Sequence, residues 1–404
     1  MNDFIREHRQ DDPRALMLQA HRYPEIDMRQ AVVQISGWQK AQKKLPLWAA
    51  TDGILFPEHL PMEQCSSQAT ATYKARLAQR LLTSDDETGS VSQNDWLVTD
   101  LTGGFGIDAT LLARTLHTAR LTFVERNQDL CRLARHNLPL LGVGQLHVLN
   151  STAEDVLQDL PHQHLLYVDP ARRDPHGRKT VAISDCTPDV GQLNDLLMEK
   201  ADYTIVKLSP MLDLSQVRRQ LHGLCEIHVV GMDGECKELL IVLSKKQIDT
   251  PTLFATDNEQ VYTFTDDTEA KACCDYTARL GTYLYEPHAA LMKAAPFKSL
   301  AQTYQLQKLH PHSHLYTSDT LRPDFPGRIF HIDGQTSFNR KALAPALKGT
   351  KNANLSVRNF PLTVAQLRQR LKLSEGGSLY LFATTLADNS HVLIHCTKTK
   401  GLTE

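Results

Sequence analysis

The residues best placed to do chemistry lie in one short stretch, Val98-Thr99-Asp100-Leu101-Thr102-Gly103-Gly104-Phe105-Gly106-Ile107-Asp108. An apolar run ends there in an acid, and a glycine-rich turn opens into a helical pattern. Glycines permit a tight strand-to-helix turn and let a ligand lie close to the backbone. Twenty-five residues beyond Asp100, the run Leu121-Thr122-Phe123-Val124 ends in a second acid, Glu125, followed by Arg126. A carboxylate at the tip of a second parallel strand is where ribose hydroxyls are held. Together the two acids and the turn describe a site for a nucleoside-containing cofactor.

Two cofactors compete for it. Gly104-Phe105-Gly106-Ile107-Asp108-Ala109 satisfies G-x-G-x-x-A, with Glu125 at a spacing suited to a nicotinamide dinucleotide. Against that reading, Asp100 stands three residues ahead of Gly103, where it would repel a pyrophosphate. An acid in that place suits a cation, such as the sulfonium and amino groups of S-adenosylmethionine (SAM). The order acid, glycine turn, acid-ended second strand resembles motifs I and II of class I SAM-dependent methyltransferases. The resemblance implies that Asp100, Gly103, Gly104, Phe105, Gly106, Asp108, Glu125 and Arg126 hold the cofactor. Adenine would be recognised after the third strand, in Asn150-Ser151-Thr152-Ala153-Glu154-Asp155, with Thr152 and Glu154 as candidates. A helix N-cap is the competing role for Ser151 or Thr152.

The acceptor side is read from later strand ends. The fourth strand delivers Asp169-Pro170-Ala171-Arg172-Arg173 to the ligand edge of the sheet. Asp169 and Pro170 partly match the motif that faces a methyl acceptor, and Arg172 and Arg173 could hold a phosphate. The fifth strand ends in Val206-Lys207-Leu208-Ser209-Pro210, and a lysine at the end of a buried strand is unusual. The order Lys74, Asp169, Lys207, Glu238 resembles the tetrad of RNA 2′-O-ribose methyltransferases. That implies a lysine of depressed pKa activating a hydroxyl. The run Asp100 to Asp108 with Phe123-Val124-Glu125-Arg126-Asn127 is also similar to ribosomal guanine-N2 methyltransferases, so an exocyclic amine is the alternative acceptor. Pyrimidine C5 methylation requires a cysteine nucleophile, which neither segment supplies.

These residues need a scaffold that brings strand ends together. Strands are expected at 96–101, 120–125, 145–149, 164–169, 202–207, 225–231 and 237–244, with helices between most of them. Such alternation implies a mostly parallel sheet covered on both faces. The short Gly- and Asp-containing link between the last two strands can only make a hairpin. The expected fold is α/β, a Rossmann-like seven-stranded class I methyltransferase domain over 91–246. A helical N-terminal region (1–90) precedes it, with Ser66-Ser67 capping a helix from Gln68. Residues beyond Lys246 read as a polar link into small α+β modules. These contain a strand at Tyr283–Pro287, helices through Lys293 and from Lys298 to Lys308, a strand at Arg328–Ile332, a helix at Val364–Leu371 and strands at 378–386 and 391–397.

Bulk properties narrow the class. The chain has 404 residues, enough for two or three domains. Its apolar runs fall short of the roughly 18 residues that span a membrane, and Met1–Arg6 is too polar for a secretory signal. The eight cysteines include no C-x-x-C pair and the eighteen histidines show no metal-ligand spacing, so no metal is expected. A cytoplasmic location follows as the expectation. Net charge is −2, but residues 271–404 carry 17 Lys and Arg against 8 Asp and Glu, leaving 27 against 38 in the first 270. A basic C-terminal third attached to an acidic body suggests a polyanion partner.

The whole chain resembles the class I SAM-dependent methyltransferases that carry a THUMP-like C-terminal domain. The segments that carry this are Glu63-Gln64-Cys65-Ser66-Ser67, Tyr73-Lys74-Ala75, the Asp100 turn, Asp169-Pro170-Ala171-Arg172, Lys207-Leu208-Ser209-Pro210, Gly234-Glu235-Cys236-Lys237-Glu238, Tyr285-Glu286-Pro287, Pro326-Gly327-Arg328 and Arg358-Asn359-Phe360-Pro361. The resemblance implies a ferredoxin-like module at 277–325, a THUMP-like domain at 328–400 and an RNA substrate, tRNA or rRNA. Two other readings stay open: a nicotinamide-dependent oxidoreductase, and a non-catalytic RNA-binding protein with a relic cofactor fold.

Overall fold

The computed structural model describes residues 1–85, 96–117, 120–172, 182–246 and 248–399. The chain divides into two compact units, one of Met1–Ile227 with Glu238–Asp249, the other of His228–Lys237 with Thr250–Glu404.

Helices open the first unit. Helix α1 (Met28–Lys44) is capped by Asp27, whose carboxylate accepts from the Gln30 amide at 3.0 Å, and it buries Met28, Ala31, Ile35 and Ala41. Helix α2 (Gln68–Asp85) starts where Ser67 accepts from the Thr70 amide at 3.2 Å. Its buried Ala71, Ala75, Ala78 and Leu82 recur at helical spacing and form the packed side.

The sheet follows. Strands β1 (Leu97–Asp100), β2 (Arg120–Val124), β3 (Gln145–Leu149), β4 (Gln163–Val168) and β5 (Ala201–Leu208) alternate with α3 (Ile107–Leu116), α4 (Gln128–Leu140), α5 (Ala153–Asp159) and α6 (Val190–Lys200). Helix α2 packs on α3. After α7 (Leu214–Gln220) come β6 (Leu224–Met232) and β7 (Glu235–Ser244). Spatial order is β6-β7-β5-β4-β1-β2-β3. The five β1–β5 strands pair in parallel and β7 runs antiparallel to β5, in register Lys207↔Leu240. Asp233 and Gly234 both have positive φ, +55° and +77°, the backbone that a two-residue hairpin linking β6 to β7 requires. All seven expected strands are present in the expected α/β plan, and two further strands beyond the β6 edge lengthen the sheet to nine. Leu165, Leu166, Ile205, Val206, Ile241 and Val242 are fully buried, as strands covered on both faces must be.

The second unit departs from expectation at its start. Residues read as a polar link form a hairpin, β8 (Thr252–Asp257) and β9 (Gln260–Thr265), which turns at Asn258 with φ +53°. Polar Thr252, Thr263 and Thr265 mask the alternation, yet Leu253, Ala255 and Phe264 are buried. Then comes one seven-stranded sheet of β10 (Tyr283–Pro287), β11 (Gln307–Lys308), β12 (Tyr316–Ser318), β13 (Gly327–Ser337), β14 (Asn354–Arg358), β15 (Leu379–Thr385) and β16 (His391–Lys398), in the order β11-β12-β10-β13-β16-β15-β14. Most pairs are antiparallel, but β14 and β15 run parallel, joined by a helix at Val364–Leu371. The helix expected to reach Lys308 stops at Thr303, and β11, β12 and β14 are strands beyond those expected.

Candidate active site

The turn after β1 is shaped from behind. Gly106 (φ +84°) ends it, and a Cβ there would lie 2.8 Å from Leu138 Cδ1. At Gly103 a Cβ would stand 2.2 Å from the Phe123 ring. At Gly104 (φ +54°) it would meet only the Thr102 carbonyl, 3.8 Å away. The turn is therefore crowded against the sheet and open on its other face. The Gly104 amide donates to Glu125 Oε2 at 2.9 Å, and Glu125 Oε1 accepts from the Asn127 amide at 2.7 Å. Glu125 thus stands at the tip of β2 beside the glycines, as the sequence predicts.

Asp100 is 1 % exposed and pairs in register with Tyr167 of β4. Burial pushes its carboxyl well above the usual carboxylate range; the Thr102 amide, donating to Oδ1 at 2.9 Å, offsets only part of this. Asp108, Asp169 and Glu125 push it further the same way. A buried carboxyl raised in this way ionises more readily when a cation is brought beside it.

Thr102 joins this turn to the next strand end. Its hydroxyl oxygen accepts from the Asp169 amide at 2.7 Å while its own amide holds Asp100. Sequence reading did not single Thr102 out. Asp169 Oδ2 lies 2.7 Å from Lys207 Nζ at the end of β5, with the two side chains 29 % and 18 % exposed. Pro170 is buried behind Asp169. Arg172 lies in a two-residue pairing with Cys186–Thr187, and Arg173 falls outside the described residues.

Lys74 comes from α2 and is 0 % exposed. Its ammonium sits 2.8 Å from Asp108 Oδ1, 3.1 Å from Glu238 Oε2 and 2.7 Å from Ser66 Oγ. Ser66 donates to Asp108 Oδ2 at 2.7 Å and Tyr167 donates to the same oxygen at 3.1 Å. Asp108 was expected at the cofactor; its side chain instead binds this buried lysine. Burial raises Asp108, but Lys74, Lys207 and the Ser66 hydroxyl outweigh it, and its pKa falls. Burial dominates at Glu238, whose pKa rises against the pull of Lys74 and Lys207. Asp108 Oδ2 accepts from two hydroxyls, whereas Glu238 Oε1 has no hydrogen-bond partner among the described residues.

The four residues expected as a tetrad therefore form two ion pairs, Lys74–Glu238 and Lys207–Asp169. One expectation is corrected. Lys207 is not depressed: burial pulls its pKa down, but Asp169, Glu238 and Asp108 outweigh burial and hold it above its ordinary value. The ammonium, not the amine, stands at this site near neutral pH.

The remaining candidates lie at the rim. Phe105 is buried, its ring 6.2 Å from that of Phe56, and it supports the turn from below. Arg126 is exposed and its carbonyl accepts from Asn150 Nδ2 at 3.0 Å, a bond that ties the ends of β2 and β3. Thr152 caps α5, accepting from the Asp155 amide at 3.2 Å, and Glu154 is half-buried in its first turn.

Comparison with known proteins places these features in a family. Residues 283–326 match a ferredoxin-like domain and residues 327–398 a THUMP domain-like family. A crystal structure from Porphyromonas gingivalis W83, of a protein assigned as a methyltransferase, is similar at 33 % identity with a TM-score of 0.86, covering 99 % of this chain and 97 % of that one. An rRNA methylase from Streptococcus thermophilus is similar at 12 % identity and a TM-score of 0.30, over 43 % of this chain and 95 % of that one. A precorrin-6y C5,15-methyltransferase from Geobacter metallireducens is similar at 14 % and 0.29, over 42 % and 85 %. No curated protein matches. The chain belongs to the family of class I methyltransferases that end in a ferredoxin-like module and a THUMP-like domain.

Proposed function

We propose that this protein is a SAM-dependent methyltransferase that modifies structured RNA, tRNA or rRNA, with a base exocyclic amine as the acceptor. The observation that carries the cofactor is Asp100, a buried carboxyl whose pKa burial and the neighbouring acids raise, beside a glycine turn where a Cβ at Gly104 would meet only the Thr102 carbonyl. When bound, SAM supplies an electrophilic methyl group on a sulfonium. Asp100 offers the negative charge such a cation needs, and it would set a dinucleotide pyrophosphate at a disadvantage. Glu125 retains acceptor capacity for ribose hydroxyls beside the two amides it already holds. Thr152 and Glu154 stand where the adenine edge would lie.

On the acceptor side, Asp169 presents a carboxylate oriented by Lys207 and by its own amide on Thr102. An amine needs to be held by its N–H groups and to lose a proton as the new N–C bond forms; Asp169 can accept both the hydrogen bond and that proton. A ribose 2′-hydroxyl is the second reading, supported by the convergence of Lys74, Asp169, Lys207 and Glu238. It is the weaker one, because Lys207 is held as an ammonium and cannot take the hydroxyl proton.

The RNA reading is supported by the THUMP-like match and the basic C-terminal third. Calorimetric titration with SAM, with NADH as control, tests the cofactor. Micromolar binding of SAM alone is expected, and binding of NADH instead would overturn the assignment. Nucleoside mass spectrometry of RNA from cells with and without the gene then reads the acceptor, a base-methylated against a 2′-O-methylated nucleoside.

A further inference from the structure

Three charged residues from the C-terminal segments Tyr285-Glu286-Pro287, Pro326-Gly327-Arg328 and Arg358-Asn359-Phe360-Pro361 converge within the second unit. Glu286, on β10, is 2 % exposed. Its Oε2 accepts from Arg328 Nε at 2.9 Å and also from Arg328 Nη2; its Oε1 accepts from Arg358 Nη2 and from Ser356 Oγ, each at 3.0 Å. One buried carboxylate thus holds two guanidinium groups from behind, leaving one positive charge in excess. The arginine side chains remain 55 % and 34 % exposed. Arg358 Nε is buried and has no hydrogen-bond partner among the described residues.

The surroundings add positive charge. The loop Lys308-Leu309-His310-Pro311-His312-Ser313-His314 is fastened beside Arg358. Asn359 Nδ2 lies 3.0 Å from His310 Nδ1, and Ser313 donates to the Thr385 carbonyl at 2.7 Å. Burial first, and then the charges of Lys308, His312 and Arg358, push His314 down to about 4. Glu269 acts on Lys308, and Glu286 is the carboxylate that touches the arginines.

We propose that Arg328 and Arg358, oriented by the buried Glu286, form a phosphate-binding fork that takes phosphodiester groups of RNA, with Asn359, His310 and His312 at its rim. Planar guanidinium groups match phosphate oxygens bidentately, and a fork already held in place loses little side-chain entropy on binding. The identity of the anion rests on the RNA reading above; the geometry of the fork does not.

The test titrates a fluorescein-labelled RNA hairpin with the full chain at several salt concentrations, and separately titrates inorganic pyrophosphate by calorimetry. Arg328→Gln and Arg358→Gln should each weaken hairpin binding about tenfold and lower the salt slope by about 1. Glu286→Gln breaks the same ion pairs but keeps both guanidiniums, and should bind the hairpin as tightly as the parent or more so. Equal losses in all three variants would show a purely structural clamp and overturn the fork. Unchanged affinity and slope in the arginine variants, with the parent binding well, would overturn the fork and leave the RNA reading standing. Should the parent ignore the hairpin, the RNA reading fails. Pyrophosphate bound by the parent and lost in Arg358→Gln would then keep the fork as a phosphate site, and no pyrophosphate binding would end it.

Discussion

Asp100 carries a cost as well as a role. A carboxyl that binds its proton more tightly in the folded than in the unfolded chain lowers stability as pH rises from the ordinary carboxylate range through its folded pKa. Burial and the neighbouring Asp108, Asp169 and Glu125 put Asp100 in that class. Asp100→Asn should therefore melt about 2–4 °C higher at pH 8 by scanning calorimetry, an effect that shrinks toward pH 4. The same variant should lose SAM affinity by about 100-fold. A lower melting temperature would show that the carboxylate is not under strain. Asp169→Ala is expected to keep SAM binding, because Thr102 bonds the Asp169 amide and not its side chain, and to lose methyl transfer by 10²-fold or more. Full turnover by that variant in a radiolabelled methyl assay would remove Asp169 from the chemistry.

At the level of elements, α2 is tied into the sheet by charge. Lys74→Met would leave Asp108 and Glu238 buried around an apolar side chain, a change of about 3–5 kcal/mol in urea unfolding. Adding Asp108→Asn and Glu238→Gln should recover part of that loss. No recovery would place the damage in packing. The sign at low pH is opposite to that of Asp100: Asp108 is held below the usual range, so its share of stability is present near neutrality and lost as pH falls. The sequence made the seven strands legible because each is a short apolar run bounded by acids, glycines or helical periodicity. It made Lys74 and Glu238 legible only by order. Ser66 and Thr102 were invisible as partners because their contacts lie 42 and 67 residues away and depend on the fold. The hairpin at 252–265 was passed over because threonines dilute its alternation, although Asp257-Asn258-Glu259 carried a turn signal. The direction of the Lys207 shift needed three carboxylates from three elements, which no local spacing reveals.

For the whole molecule, charge is divided along the chain: the first 270 residues are acidic and the rest basic. Among the described residues no helix is long and apolar enough to cross a membrane. The two proposed ligands, SAM and RNA, should accordingly respond differently to salt. RNA affinity is expected to fall steeply between 50 and 200 mM salt, by about 10-fold or more for several phosphate contacts. SAM affinity, set by a buried carboxylate, should move less than about twofold over that range. Parallel titrations that show equal salt dependence would mean that both ligands are held by the same exposed charges.

The glycine turn has a practical corollary for work in cells. Position 104 is open where 103 and 106 are closed: a Cβ added there would meet only the Thr102 carbonyl, 3.8 Å away, its chain neighbours aside. Asparagine tolerates the left-handed backbone that Gly104 adopts. On the proposed function, a Gly104→Asn allele is therefore expected to give folded protein that keeps RNA affinity and loses the methyl donor. A strain bearing it, set beside a full deletion, would separate the consequences of RNA methylation from those of RNA binding.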